Sequence, residues 1–166
     1  MEKYYFSCMS SSEGDIICPN CGERYDIRQD FPLLPFNYTL DNKYQIGRCI
    51  ESRGDGFTYI GNDIARNQKV YIREFYPHSL VDRAQDFSVI FKPEYKDELE
   101  EYQADFQDMA KKLMKLNDQT ALMPVYDIVW ANNTVYYVTE YIENVTLTEA
   151  VDAARGKGIA WSSVKN

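Results

Sequence analysis

Cys18-Pro19-Asn20-Cys21-Gly22 is the stretch of this 166-residue chain whose chemistry is easiest to name. Two thiols two residues apart, followed by a glycine that permits a tight turn, form one half of a zinc knuckle. A ribbon needs a second such pair, and only Cys8 stands where one should be. Tyr5 lies three residues before it, in the place of the missing cysteine, and a phenol is not an ordinary zinc ligand. Residues 1–28 alone therefore offer Cys8, Cys18 and Cys21 as an incomplete site with zinc as the candidate ion. Cys49 could complete it only by folding back from the next domain. The expectation is a ribbon remnant held by its own small hairpin. The opening Met1-Glu2-Lys3-Tyr4-Tyr5 has no apolar signal-peptide core, so a reduced cytoplasmic setting is the default.

A second set of reactive groups lies on Val70-Tyr71-Ile72-Arg73-Glu74-Phe75-Tyr76-Pro77. β-Branched Val70 and Ile72 alternate with larger residues and Pro77 closes the run, which predicts a strand. Period two puts Tyr71, Arg73 and Phe75 on one face and Val70, Ile72 and Glu74 on the other. Gly54 and Gly56 make a G-x-G, but a plain hairpin turn over Ser52-Arg53-Gly54-Asp55-Gly56 explains it. His78, the single histidine, is expected on a surface loop.

These groups need a frame. Strands are expected over 44–50 and 58–63 ahead of the 70–77 run, and over 123–130 and 134–141 joined by the polar turn Ala131-Asn132-Asn133. Between them, 94–116 is the clearest helix. Leu99, Tyr102, Phe106, Met109, Leu113 and Leu116 recur at spacings of three and four and predict its buried stripe. Residues 29–43 form a linker, extended over 29–40 and lying on the main domain; 78–93 are irregular, and 147–154 begin another helix. The expected class is α+β: a five-stranded antiparallel sheet with one long helix over 44–166, behind a small ribbon-like unit. A net charge of −8 argues against nucleic acid as a partner, and no apolar run approaches the roughly 20 residues that cross a bilayer.

The order and residues resemble the N-terminal lobe of a bacterial Ser/Thr protein kinase. Tyr44-Gln45-Ile46-Gly47-Arg48 looks like the family's first strand and Phe57-Thr58-Tyr59 its second. Val70 to Pro77 resembles the third, Val125-Tyr126-Asp127-Ile128 the fourth, and Tyr136-Tyr137-Val138-Thr139-Glu140-Tyr141-Ile142 the fifth with its hinge. One bacterial subgroup of the family also tends to carry a cysteine ribbon in front.

The resemblance implies a nucleotide site, and its positions are mostly altered. Two glycines of the phosphate-covering loop fall on Glu51 and Arg53, and only the third survives, as Gly56. The family's V-A-I-K falls on Val70-Tyr71-Ile72-Arg73, so Arg73 replaces the ATP-contacting lysine and the ring of Tyr71 projects where adenine would lie. The helix glutamate that pairs with that lysine falls on Met109, with Asp105 as the carboxylate expected to reach Arg73 instead. Thr139 and Glu140 occupy the hinge positions. Only 143–166 follow, with no catalytic Asp or Asp-Phe-Gly; Asp86-Phe87-Ser88 precedes the helix and is misplaced for that role. The expected function is a catalytically inactive, pseudokinase-like regulatory or interaction module without ATP. A protein partner or second copy would dock on its exposed hinge side. The alternative is part of a larger Ser/Thr kinase that still binds nucleotide.

Overall fold

A computed structural model describes residues 4–12, 14–24, 27–119, 122–143 and 152. In chain order the elements are β1 (Tyr4–Tyr5), β2 (Ser10–Ser11), β3 (Thr39–Leu40), β4 (Tyr44–Arg53), β5 (Gly56–Asp63) and β6 (Gln68–Phe75). A short hairpin follows, β7 (Val81–Arg83) and β8 (Val89–Phe91), then helix α1 (Lys96–Met114), β9 (Val125–Ala131) and β10 (Thr134–Glu140). The helix expected over 147–154 lies outside the described residues, apart from 152.

β3 to β6, β10 and β9 form one antiparallel sheet in the order β3-β4-β5-β6-β10-β9. It has six strands rather than the five expected, because Thr39 and Leu40 pair with Gln45 and Tyr44 and extend the edge. The sheet also curls until its two ends nearly meet. Tyr44 Oη donates to Asp127 of β9 at 3.1 Å, and Tyr38 Oη to Asn132 at 2.7 Å. Asn132 and Asn133 both have positive φ, which suits the right-handed twist of a two-residue hairpin.

The curl encloses the main core. Val70 and Ile72 face inward with Tyr59, Tyr136 and Val138 of the neighbouring strands, as the period-two pattern of β6 predicts. Leu34 and Leu40, from the stretch expected to be a linker, are fully buried in this core. The 78–93 segment is likewise less irregular than expected, since Val81, Asp82 and Arg83 pair with Phe91, Ile90 and Val89. Val81 and Val89 point into the core.

α1 lies against the other face, where Phe106 meets Phe75 and Tyr137 at ring-centroid distances of 5.4 and 5.1 Å. Its buried residues are Leu99, Gln103, Phe106 and Ala110. The helix is therefore rotated from the expected stripe, leaving Tyr102 52%, Met109 41% and Leu116 42% exposed. Gln103 can face inward because its Nε2 donates to Asn133 O and Thr134 Oγ1, each at 3.4 Å. No described helix is long and apolar enough to cross a membrane.

Candidate functional site

The sheet register builds a cleft between β4–β6–β10 and the second half of α1. Thr58, Arg73 and Tyr137 lie side by side across β5, β6 and β10, and Ile60, Tyr71 and Thr139 form the next row. The cleft has a volume of about 670 Å³. Glu51, Arg53, Tyr71, Arg73, Met109 and Thr139, all singled out in the sequence, line it together. Gly56 and Glu140 are not among its lining residues. Ile50, Asp55, Phe106, Leu113, Leu122 and Met123 complete much of the wall.

Arg73 is nearly buried and tied to the hairpin above it. Its guanidinium donates to Asp55 Oδ1 at 2.6 Å and to Thr58 Oγ1 at 2.9 Å, with Glu51 Oε2 3.6 Å away. Glu51 also pairs with Arg53 at 2.6 Å. Asp105 is exposed and is not among these partners, which corrects the expected pairing. Rotation of α1 turns it to solvent, while the β4–β5 turn drops Asp55 over the arginine. Partial burial pushes the Asp55 carboxyl up, and the hydrogen bond and charge of Arg73 outweigh that, leaving it below its ordinary value. Two carboxylates thus face two guanidiniums in the cleft.

Tyr71 closes the end of the cleft beside Tyr141 and Ile142. Its ring packs on Tyr141 at 5.0 Å, and its hydroxyl lies 3.4 Å from Ile142 O. Thr139 is nearly buried beside it. Glu74, on the opposite face of β6, is fully buried and plays no part in the cleft.

The thiols form the second cluster. Cys8, Cys18 and Cys21 bring their Sγ atoms within 4.8 Å of one another, and Cys8 and Cys18 are 3.6 Å apart. Cys49 is not in the group; its Sγ donates to Glu51 O at 3.2 Å on β4. Burial pushes the Cys18 thiol up. At Cys8 burial acts in the same sense, but hydrogen bonds from Ser10 and the neighbouring thiols outweigh it and bring the group to about 7. The cysteine-bearing N-terminal segment sits on the sheet through Arg48 N–H, which donates to Phe6 O at 2.7 Å, and through Tyr4 and Met9 packed on Ile60.

Sequence alternation located Tyr71 and Arg73 but not Asp55, whose role depends on how a turn folds back. Asp55 falls inside a G-D-G turn, and an acid in such a turn two strands from an inward arginine is the only hint the sequence carries.

Among solved structures, the chain is similar to the apo form of PpkA-294, a bacterial Ser/Thr kinase. The TM-score is 0.71 at 23% identity, covering 80% of this chain and 47% of that one. The chain thus spans about half the length of PpkA-294. No protein-family model and no curated protein matches it. The likeness shows a kinase-related fold.

Proposed function

We propose that the chain is a pseudokinase-like module that does not hold ATP as a kinase does and acts by binding protein. The observation that carries this is the commitment of Arg73 to Asp55, Thr58 and Glu51. A cation already neutralised by two carboxylates offers little to a polyphosphate, and Glu51 and Asp55 balance Arg53 and Arg73 along the cleft. Tyr71 supports the same conclusion from the adenine end, because its ring stands in the cleft against the hinge. Without a bound nucleotide and its metal, phosphoryl transfer has neither positioning nor charge neutralisation, so the module is not an enzyme.

Thermal denaturation with increasing Mg-ATP tests this directly. A ligand at 100 times its Kd adds about 2.7 kcal/mol to the native state, so true binding raises Tm by several degrees. The expected result is no saturable rise. A saturable rise that Arg73→Ala abolishes would overturn the proposal. It would favour the second reading, a nucleotide-binding part of a longer Ser/Thr kinase. The half-length match to PpkA-294 and the open cleft give that reading its support.

The partner surface we assign is the hinge side. Leu122, Met123, Tyr126 and Ile142 are 39%, 42%, 40% and 37% exposed there. Leu122 and Met123 also line the mouth of the cleft, and exposed apolar side chains of this kind suit a protein partner or a second copy. Sedimentation over a range of concentrations distinguishes them: self-association that Met123→Glu weakens indicates a second copy. A monomer at every concentration removes the second copy and leaves a different protein as the partner.

A further inference from the structure

We infer that Cys8, Cys18 and Cys21 hold one zinc ion through three thiolates and leave its fourth position open to a small donor from solvent. This inference is independent of the kinase-like function.

The two turns that carry the thiols share a main-chain hydrogen bond and a residue of positive φ at matching positions. Gly22 N–H donates to Cys18 O at 2.8 Å, and Met9 N–H donates to Tyr5 O at 2.7 Å. Gly22 has φ +73° and Met9 has φ +52°. Residues 18, 21 and 22 of one turn therefore correspond to residues 5, 8 and 9 of the other. Methionine is not a residue that adopts positive φ readily. The first turn thus keeps a metal-knuckle shape although one of its ligand positions is a tyrosine.

The sulfur spacing fits the ion. Thiolates about 2.3 Å from a tetrahedral zinc lie about 3.8 Å from each other. The Cys8–Cys18 separation is 3.6 Å and all three sulfurs fall within 4.8 Å. Three soft donors select a thiophilic cation over magnesium or calcium.

The fourth vertex has no strong protein donor among the described residues. Tyr5 is buried, and its hydroxyl donates to Asp15 O at 3.1 Å. Ser7 Oγ lies 3.3 Å from Cys21 Sγ and Ser10 Oγ 3.3 Å from Cys8 Sγ. A neutral hydroxyl there donates to a thiolate and orients it, as outer partners of metal ligands do. Asn20 Nδ2 in turn donates to Ser10 Oγ at 3.2 Å. Cys18 is buried, but Cys21 is exposed and Cys8 half-buried, so water, an imidazole or a free thiol can reach the ion.

The test uses the full chain, reduced and stripped of metal, titrated with zinc against a chelator and with cobalt(II) as the spectroscopic probe. One metal per chain is expected, with thiolate-to-cobalt charge-transfer bands. Imidazole should shift the cobalt d–d envelope of the wild-type chain by entering the open position. Cys8→Ser and Cys21→Ser should each lose most zinc affinity while circular dichroism reports an intact sheet. Should either variant misfold, Tyr5→Cys carries the test by gain. It should tighten zinc at least by the roughly 10- to 100-fold that outer partners alone are worth, and it should abolish the imidazole shift. Substoichiometric zinc, an imidazole-insensitive wild-type spectrum, or a Tyr5→Cys chain identical to wild type would each overturn the inference.

Discussion

Glu74→Gln is expected to destabilise the fold by about 3–5 kcal/mol, the range for breaking one side of a buried ion pair. The side chains of Glu74 and Arg83 are both fully buried and meet at 2.8 Å. Tyr136 donates to one carboxylate oxygen at 2.7 Å and Tyr59 to the other at 3.0 Å. Burial holds both phenols well above their ordinary range, so they remain donors at any physiological pH. Arg83 is further tied to Phe87 O at 2.9 Å and lies 4.6 Å from the centre of the Tyr76 ring. Burial disfavours its charge, and Glu74 outweighs that, holding the guanidinium above its usual value. A neutral amide at position 74 removes the counter-charge and strands the cation in the core. The effect is read from the urea midpoint at unchanged m-value. Replacing both residues, Glu74→Met with Arg83→Met, should destabilise by clearly less than the single change, since an apolar pair strands no charge. A Glu74→Gln chain within about 1 kcal/mol of wild type would show that Arg83 is relieved by water or rearrangement.

This pair illustrates what the sequence discloses and what it withholds. Alternation put Glu74 on the apolar face with Val70 and Ile72, and a carboxylate there must find a partner. Which cation supplies it depends on the β7–β8 hairpin, whose strands are three residues each. Such short runs give too little alternation to separate Arg83 from a solvent-facing arginine. Arg73 behaves in the same way. Its face followed from the period of β6, but its partner came from the tip of another hairpin. The helix shows a different failure. Counting large apolar residues favoured Tyr102 and Met109, whereas the core took Gln103 and Ala110. A small residue and an amide satisfied by the β9–β10 turn fit close to the sheet, and apolar size alone does not express that. The thiols were the reverse case: their spacing was plain, and the correspondence of the two turns needed backbone geometry.

Gly56→Ala should also be strongly destabilising, by about 3 kcal/mol or more, whereas Gly54→Ala should stay within about 0.5 kcal/mol of wild type. The two glycines flank Asp55 in one hairpin, and by the kinase resemblance only Gly56 falls on a position of the phosphate-covering loop, where a glycine lets backbone amides approach the ligand. Here their surroundings differ. A Cβ at Gly54 meets nothing within 4 Å. A Cβ at Gly56 would stand 1.9 Å from Glu74 O and 3.1 Å from Tyr76 N, both backbone atoms that cannot swing aside. Gly56 pairs with Phe75 at the end of β5, so relief requires moving β5 away from β6. That displacement loosens the segment holding Glu74 and lifts Asp55 from Arg73. Gly56 is therefore required by strand packing, whether or not phosphate is bound. Equilibrium unfolding of the two variants side by side decides the matter. Equal stability for the two would mean that the close approach of Gly56 to Glu74 O relaxes freely.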